Sequence, residues 1–319
     1  MINAGASGCT DIAACKHIIP PDESPHVVVL KGDAVYACGS NDYGQLGDNT
    51  TIERHELTAM VGQGTSGVSK ISVGLTTSHV IKSGVLYSTG ANGRGQLGLG
   101  GIGGSVSVLT AAILEGSSGV TDVSGGRLFT VILKTDAVYA AGQNLFGALG
   151  NNDTGTTKSI FVPMVGAGTS GCTAISAGKY HSVVLKTNAV YCTGHNAFGQ
   201  LGDNTTTNRA VLTAMVGQGT SGCNSIDAGE HETIVLKTAS AYACGDNTYG
   251  QLGDNTTTQR NVLTAMTSNG STFVTQVASG YDIAACLRGY KCFSTGLNDV
   301  GQIADGTTTN RDEVTEGIF

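Results

Sequence analysis

The sequence predicts an all-β chain, a six-bladed β-propeller of four-stranded antiparallel blades filling residues 1–319 as one domain. Three observations predict it. An anchor glycine recurs at Gly39, Gly90, Gly142, Gly194, Gly245 and Gly296, at intervals of 51 or 52 residues, and self-similarity at such a period marks propellers and solenoids. Each interval holds four short β-type segments. A four-stranded unit of this kind cannot hide both sheet faces without neighbours.

Each anchor opens the pattern G-x-N-x-x-G-[QA]-[LI]-[GA]. Its asparagines are Asn41, Asn92, Asn144, Asn196, Asn247 and Asn298, and its second glycines Gly44, Gly95, Gly147, Gly199, Gly250 and Gly301. Glycine tolerates positive φ and an Asn amide bonds nearby backbone, so these twelve residues are expected to fix one tight structural loop per blade.

The segments follow in order, clearest from Cys172 onward: CTAISA, HSVVLK and AVYCTG, then LTAMV after the polar loop. Thr187-Asn188 is a turn of hairpin length. A glycine sixteen residues before the anchor ends the first strand at Gly74, Gly126, Gly178, Gly229 and Gly280, and a base ends the second at Lys82, Lys134, Lys186, Lys237 and Arg288. In the first copy Cys15 takes the glycine's place, 24 residues before Gly39. About eight residues are thus inserted across 17–26, where three of the four prolines lie. The two chain ends together make about one period, so six blades are expected to close without a seventh.

The 48 glycines, 4 prolines and 13% charged residues suit short strands and turns. Net charge is −7 without a basic cluster, against a nucleic-acid partner. The lack of a long apolar run is against membrane insertion, and the start lacks the regions of a signal peptide. Nine cysteines show no C-x-x-C, and Cys38 shares a repeat position with Cys244, as Cys9 does with Cys172 and Cys223, so most of them are expected to serve as small buried residues in strands.

The stretch Ala241 to Arg260, AYACGDNTYGQLGDNTTTQR, resembles the regulator of chromosome condensation repeat, in the Thr-rich version of bacterial and surface-exposed proteins. The resemblance covers nearly the whole chain and implies the propeller fold. It does not imply one function, because similar proteins include a guanine nucleotide exchange factor, a plant ultraviolet photoreceptor and a β-lactamase inhibitor. The chain departs twice. It has no Trp, which excludes tryptophan-based photoreception, and six blades are counted where the family usually has seven.

Candidate sites are few. The insertion, with His17, Pro20, Pro21, Asp22, Glu23, Pro25 and His26, is the candidate partner-binding loop; a metal or proton-transfer site there is the sharper alternative to a solvated loop. Asp48, Asp203, Asp254 and Asp305 each precede an arginine by six residues, Arg54, Arg209, Arg260 and Arg311, which reads as a charge pair or loop hydrogen bonds within the blade rather than calcium ligands. Gly98 to Gly104 formally fits G-x-G-x-x-G but lacks the strand and helix of a dinucleotide site. Asn-x-Thr sequons stand at Asn49, Asn152, Asn204 and Asn255. The seven histidines mostly occupy different repeat positions, so no symmetric ring of imidazoles is expected. No catalytic, cofactor or metal residues are assigned. The expected function is a non-enzymatic protein-interaction or structural module, extracellular or surface-associated rather than cytoplasmic, whose partner is a protein or, through an outer strand such as Val211 to Met215, a second copy. The alternatives are a guanine nucleotide exchange factor and an enzyme inhibitor.

Overall fold

The computed structural model describes residues 8–15, 25–113, 119–167, 169–217, 221–267 and 272–318. Its strands form six four-stranded antiparallel sheets, each from four consecutive strands, the blades of a β-propeller. Blade one is β1 (Cys9–Ala14), β2 (His26–Lys31), β3 (Ala34–Gly39) and β4 (Arg54–Ala59). Blade two is β5 (Val68–Val73), β6 (Thr77–Lys82), β7 (Val85–Ala91) and β8 (Ser105–Ala111); blade three is β9 (Val120–Gly125), β10 (Phe129–Lys134), β11 (Ala137–Gly142) and β12 (Lys158–Pro163). Blade four is β13 (Cys172–Ala177), β14 (His181–Lys186), β15 (Ala189–Gly194) and β16 (Arg209–Ala214). Blade five is β17 (Cys223–Ala228), β18 (Glu232–Lys237), β19 (Ser240–Gly245) and β20 (Arg260–Ala265), and blade six is β21 (Gln276–Ser279), β22 (Ile283–Arg288), β23 (Lys291–Gly296) and β24 (Arg311–Glu316).

The chain divides into two compact units: Met1–Leu145 with Gly155–Pro163, and Phe146–Thr154 with Met164–Phe319. Within each, apolar faces of successive blades meet. In the first unit Val28, Leu30, Val35, Leu46 and Met60 pack with Ile71, Val73, Val80 and Leu109. In the second, Val183, Leu185, Val190, Leu201 and Met215 pack with Ile226, Val235 and Leu263. Each such Leu, Ile or Val contributes about 1.5–3 kcal/mol by leaving water. The middle strands are covered on both faces, which is why HSVVLK and ETIVLK do not alternate between apolar and polar residues.

Backbone bonds extend the seams. Asn204 N–H donates to Asn261 O (2.8 Å) and Leu263 N–H to Val216 O (3.2 Å), so the free edge of β20 is held by loops of the blade before it. The same holds for β16, the expected self-pairing strand: Asn152 N–H reaches Ala210 O (2.8 Å) and Leu212 N–H reaches Val165 O (3.0 Å). An edge already bonded in this way is a poor template for another chain.

The anchor glycine has a clear reason. At Gly245, with φ of +118°, a Cβ would lie 2.2 Å from His231 O. Only glycine lets the loop after the third strand lie this close to the turn between the first two.

Candidate functional site

The structural loops are nearly identical. Asn196 Oδ1 accepts Leu201 N–H (3.0 Å), while its Nδ2 donates to Asp203 Oδ1 (3.0 Å), Thr205 O (3.2 Å) and Thr207 O (3.1 Å). Asn41, Asn247 and Asn298 repeat the set. Of the second glycines, Gly44, Gly95, Gly147, Gly199 and Gly250 lie against an outer-strand backbone, where a Cβ would meet a Cα at 2.5–2.7 Å; Gly301 has room. The expected charge pairs are present, with Arg Nε 2.6 Å from the Asp Oδ2 in all four blades. Burial alone would raise the Asp48 and Asp203 carboxyls; hydrogen bonds from the Thr two residues on, from the Arg and from the Asn outweigh it and lower them. The Gly98 segment is a variant of the same loop, with Gly103 N–H on Asn92 O (3.0 Å) and β8 rather than a helix after it.

On this frame, two loops of each blade are stitched side by side. His195 N–H donates to Tyr180 O (2.9 Å), Asp246 N–H to His231 O (3.0 Å) and Leu297 N–H to Asp282 O (2.9 Å). The frame residues repeat, whereas the residues it displays do not. Behind the first-strand glycine come Lys179-Tyr180, Glu230-His231 and Tyr281-Asp282, and behind the anchor come His195, Asp246 and Leu297.

In the second unit these displayed residues gather. The rings of Phe146 and His195 lie 4.6 Å apart, His195 and His231 5.8 Å, and Phe198 and His231 4.5 Å; Tyr180 stands edge-on to Phe146 at 5.3 Å. Gln200 Nε2 donates to His195 Nδ1 (3.0 Å), which places its proton on Nε2. Burial, then the charge of Lys179, lowers His195, and the same causes with His195 itself bring His231 down to about 4. Both imidazoles are neutral at pH 7.

Beside the rings lies an acidic group. Glu230 is 5% exposed and pairs with Lys179 through Oε1. Burial first, then the charges of Glu230 and Asp246, push Asp282 up to about 6. Gln251 Nε2 donates to Asp282 Oδ1 (3.3 Å). Asp282 also has φ of +53°, while its counterparts Thr76, Leu128, Tyr180 and His231 do not have positive φ. Asp282 lies in the turn between β21 and β22, and an aspartate enters this region more readily than most residues. Tyr249 and Tyr281 stand exposed at the rim.

Of the insertion, His17, Pro20, Pro21, Asp22 and Glu23 lie outside the described residues. Pro25 O accepts Ser40 N–H (2.9 Å). His26 departs from the solvated loop expected of it: it is the first residue of β2, buried, with Nε2 2.9 Å from Ser78 Oγ. The reading of the histidines missed His195 and His231 because it compared like positions. They come from different loops of neighbouring blades, and aligning the repeats to ask where they differ would have exposed both.

Comparison with known proteins agrees with the fold. The regulator of chromosome condensation (RCC1) repeat matches residues 135–185 and 239–287, and a second model of that repeat matches 172–200. The chain is similar to probable E3 ubiquitin-protein ligase HERC4 of Homo sapiens, 30% identical over 300 residues, which cover 89% of this chain but 27% of that protein. It is similar to the ultraviolet-B receptor UVR8 of Arabidopsis thaliana, 25% identical over 303 residues, 92% of this chain and 68% of that one. Among solved structures, human WBSCR16 superposes with a TM-score of 0.82 at 17% identity, covering 98% of this chain and 82% of that one. Yeast RCC1 (Prp20) bound to Kap60 gives 0.81 at 16%, covering 99% and 76%. The chain thus spans about a quarter of HERC4, and the structural likenesses bear on fold alone. With its six blades and these repeat matches, the chain is an RCC1-repeat β-propeller.

Proposed function

We propose that the chain is a non-enzymatic protein-interaction module that docks a protein partner on the loops bearing Phe146, Lys179 to His181, His195, Phe198, Glu230, His231, Tyr249, Tyr281 and Asp282. One observation carries this: the frame of these loops repeats blade after blade, while the residues it displays diverge and, in the second unit, collect the exposed rings of Tyr249 and Tyr281 and the half-buried rings of Phe198 and His231 beside the buried acidic side chains of Glu230 and Asp282. Exposed tyrosines are typical anchors of protein contacts. Prp20, a structural neighbour, has been crystallised bound to Kap60 and studied for binding to Gsp1p and histones. An extracellular or surface setting fits the Thr-rich and Asn-rich loops.

A photo-crosslinking residue placed at Tyr249 tests the reading against the same residue at Asp136, in the β10–β11 turn. Adducts with a protein partner are expected from position 249 and not from 136; equal yields from both would sink the assignment. Nucleotide-release and enzyme-inhibition assays on the captured partner separate a plain binder from an exchange factor or an inhibitor.

A further inference from the structure

The acidic group beside the rings is short of positive charge. Glu230 and Asp246 act on Asp282; Asp282, Glu230 and Asp227 act on Glu232; and Lys179 is the cation that acts on Asp282 among the described residues. Lys179 is bonded to Glu230 Oε1. The other oxygen, Oε2, is buried without a partner among the described residues, on a side chain more than nine-tenths buried. A buried carboxylate oxygen without a donor costs free energy that a fitting donor would return. Glu232, fully buried, is pushed well above the usual carboxylate range by that burial and supplies no positive charge to the group.

The surroundings choose the kind of cation. No group of three or more His, Cys, Asp or Glu among the described residues is placed to hold a metal ion. Aromatic faces are at hand instead: Tyr281 is exposed, and it follows Gly280, whose carbonyl oxygen lies 3.0 Å from where a Cβ on Gly229 would stand, so the turns carrying Glu230 and Tyr281-Asp282 are neighbours. Carboxylates paired with an open aromatic face suit a planar guanidinium, which takes two hydrogen bonds in its plane and stacks on a ring. Resting on the interaction reading above, we infer that the partner inserts an arginine side chain here, its guanidinium held by Glu230 Oε2 and Asp282 and stacked on Tyr281. Lys179 then acts as an internal competitor for Glu230.

The test uses the full chain and Nα-acetyl-arginine methylamide, followed through the imidazole resonances of His195 and His231. The arginine probe is expected to shift His231, and its neutral citrulline analogue to bind at least roughly tenfold more weakly, since the loss of a charged donor is of that order. Asp282→Asn should weaken binding and Lys179→Met should strengthen it. If Asp282→Asn does not fold by circular dichroism, Glu230→Gln takes its place. Equal binding of citrulline, a shift caused equally by magnesium chloride, or no effect of either carboxylate substitution would overturn the arginine site. Failure of the probe with crosslinks intact at Tyr249 removes this inference alone; loss of both removes the interaction reading as well.

Discussion

Blade one and blade five carry the same residues on the same outer face and treat them oppositely. Cys9, Ile12 and Leu57 stand at the repeat positions of Cys223, Ile226 and Leu263. Ile12 is 68% exposed where Ile226 is 9%, and Leu57 is 39% exposed where Leu263 is 1%. In blade five the backbone follows suit, since β20 is bonded by loops of blade four. In a repeat array, an apolar position records what the unit is built to touch, and the neighbour decides whether water is removed from it. Frame and face therefore have separate energetics, and substitutions made in pairs, one per blade, can separate them.

The largest effect is expected at the anchor glycines and should be the same in both blades. Gly39→Ala and Gly245→Ala each put a Cβ within 2.5 Å of a carbonyl oxygen at φ above +100°. Each should cost about 3 kcal/mol or more in urea denaturation, through strain that no neighbouring blade relieves. A clear inequality would mean that the stitched loops depend on blade packing after all.

The outer-face pair should split. Leu263→Ala removes a fully buried side chain from the seam and should cost about 2–5 kcal/mol, while Leu57→Ala should stay within about 0.5–1 kcal/mol. Equal costs would show that the blade-one face is covered in solution.

Acid sharpens the frame further. Asp48 and Asp203 are held below the free carboxylate value, so they contribute stability above about pH 4 that is lost as pH falls through their lowered values. Asp203→Asn, which gives up the pair with a one-third-exposed Arg209, should cost about 1–3 kcal/mol at pH 7 and less at pH 2.5. Asp48→Asn should match it. The measurement is the urea midpoint of each variant across that range, and a pH-independent difference would remove the ion pair from the account.

The contrast between frame and face also explains what could be seen in advance. Strand order, hairpin turns and the Asn loops were legible because six copies had to satisfy the same backbone bonds with the same residues, and the Asp-Arg pairs because four copies repeat them at one spacing. Phe146, His195, Phe198 and His231 were not, because their meeting depends on how one blade's loop lies beside the next. No periodicity encodes that. The exposure of Ile12 was equally hidden, since its residue type agrees with the buried copies.

The smallest expected effect lies where blade six leaves the pattern. Gly47, Gly98, Gly150, Gly202 and Gly253 share a left-handed backbone with φ of 58–68°, and the same position in blade six holds Ala304 at 60°. The Cβ of alanine costs about 1 kcal/mol in this region, although glycine gives part of that back through the greater freedom of the unfolded chain. Ala304→Gly should therefore stabilise the second unit by a few tenths of a kcal/mol, about 0.3–0.7. The reverse change at Gly253 should cost more than strain alone, because a Cβ there would also meet Met266 Cε and Val314 Cγ2 at 3.0 Å. Thermal midpoints of the two variants decide it: a destabilised Ala304→Gly would mean that the methyl group makes contacts worth more than the strain it imposes.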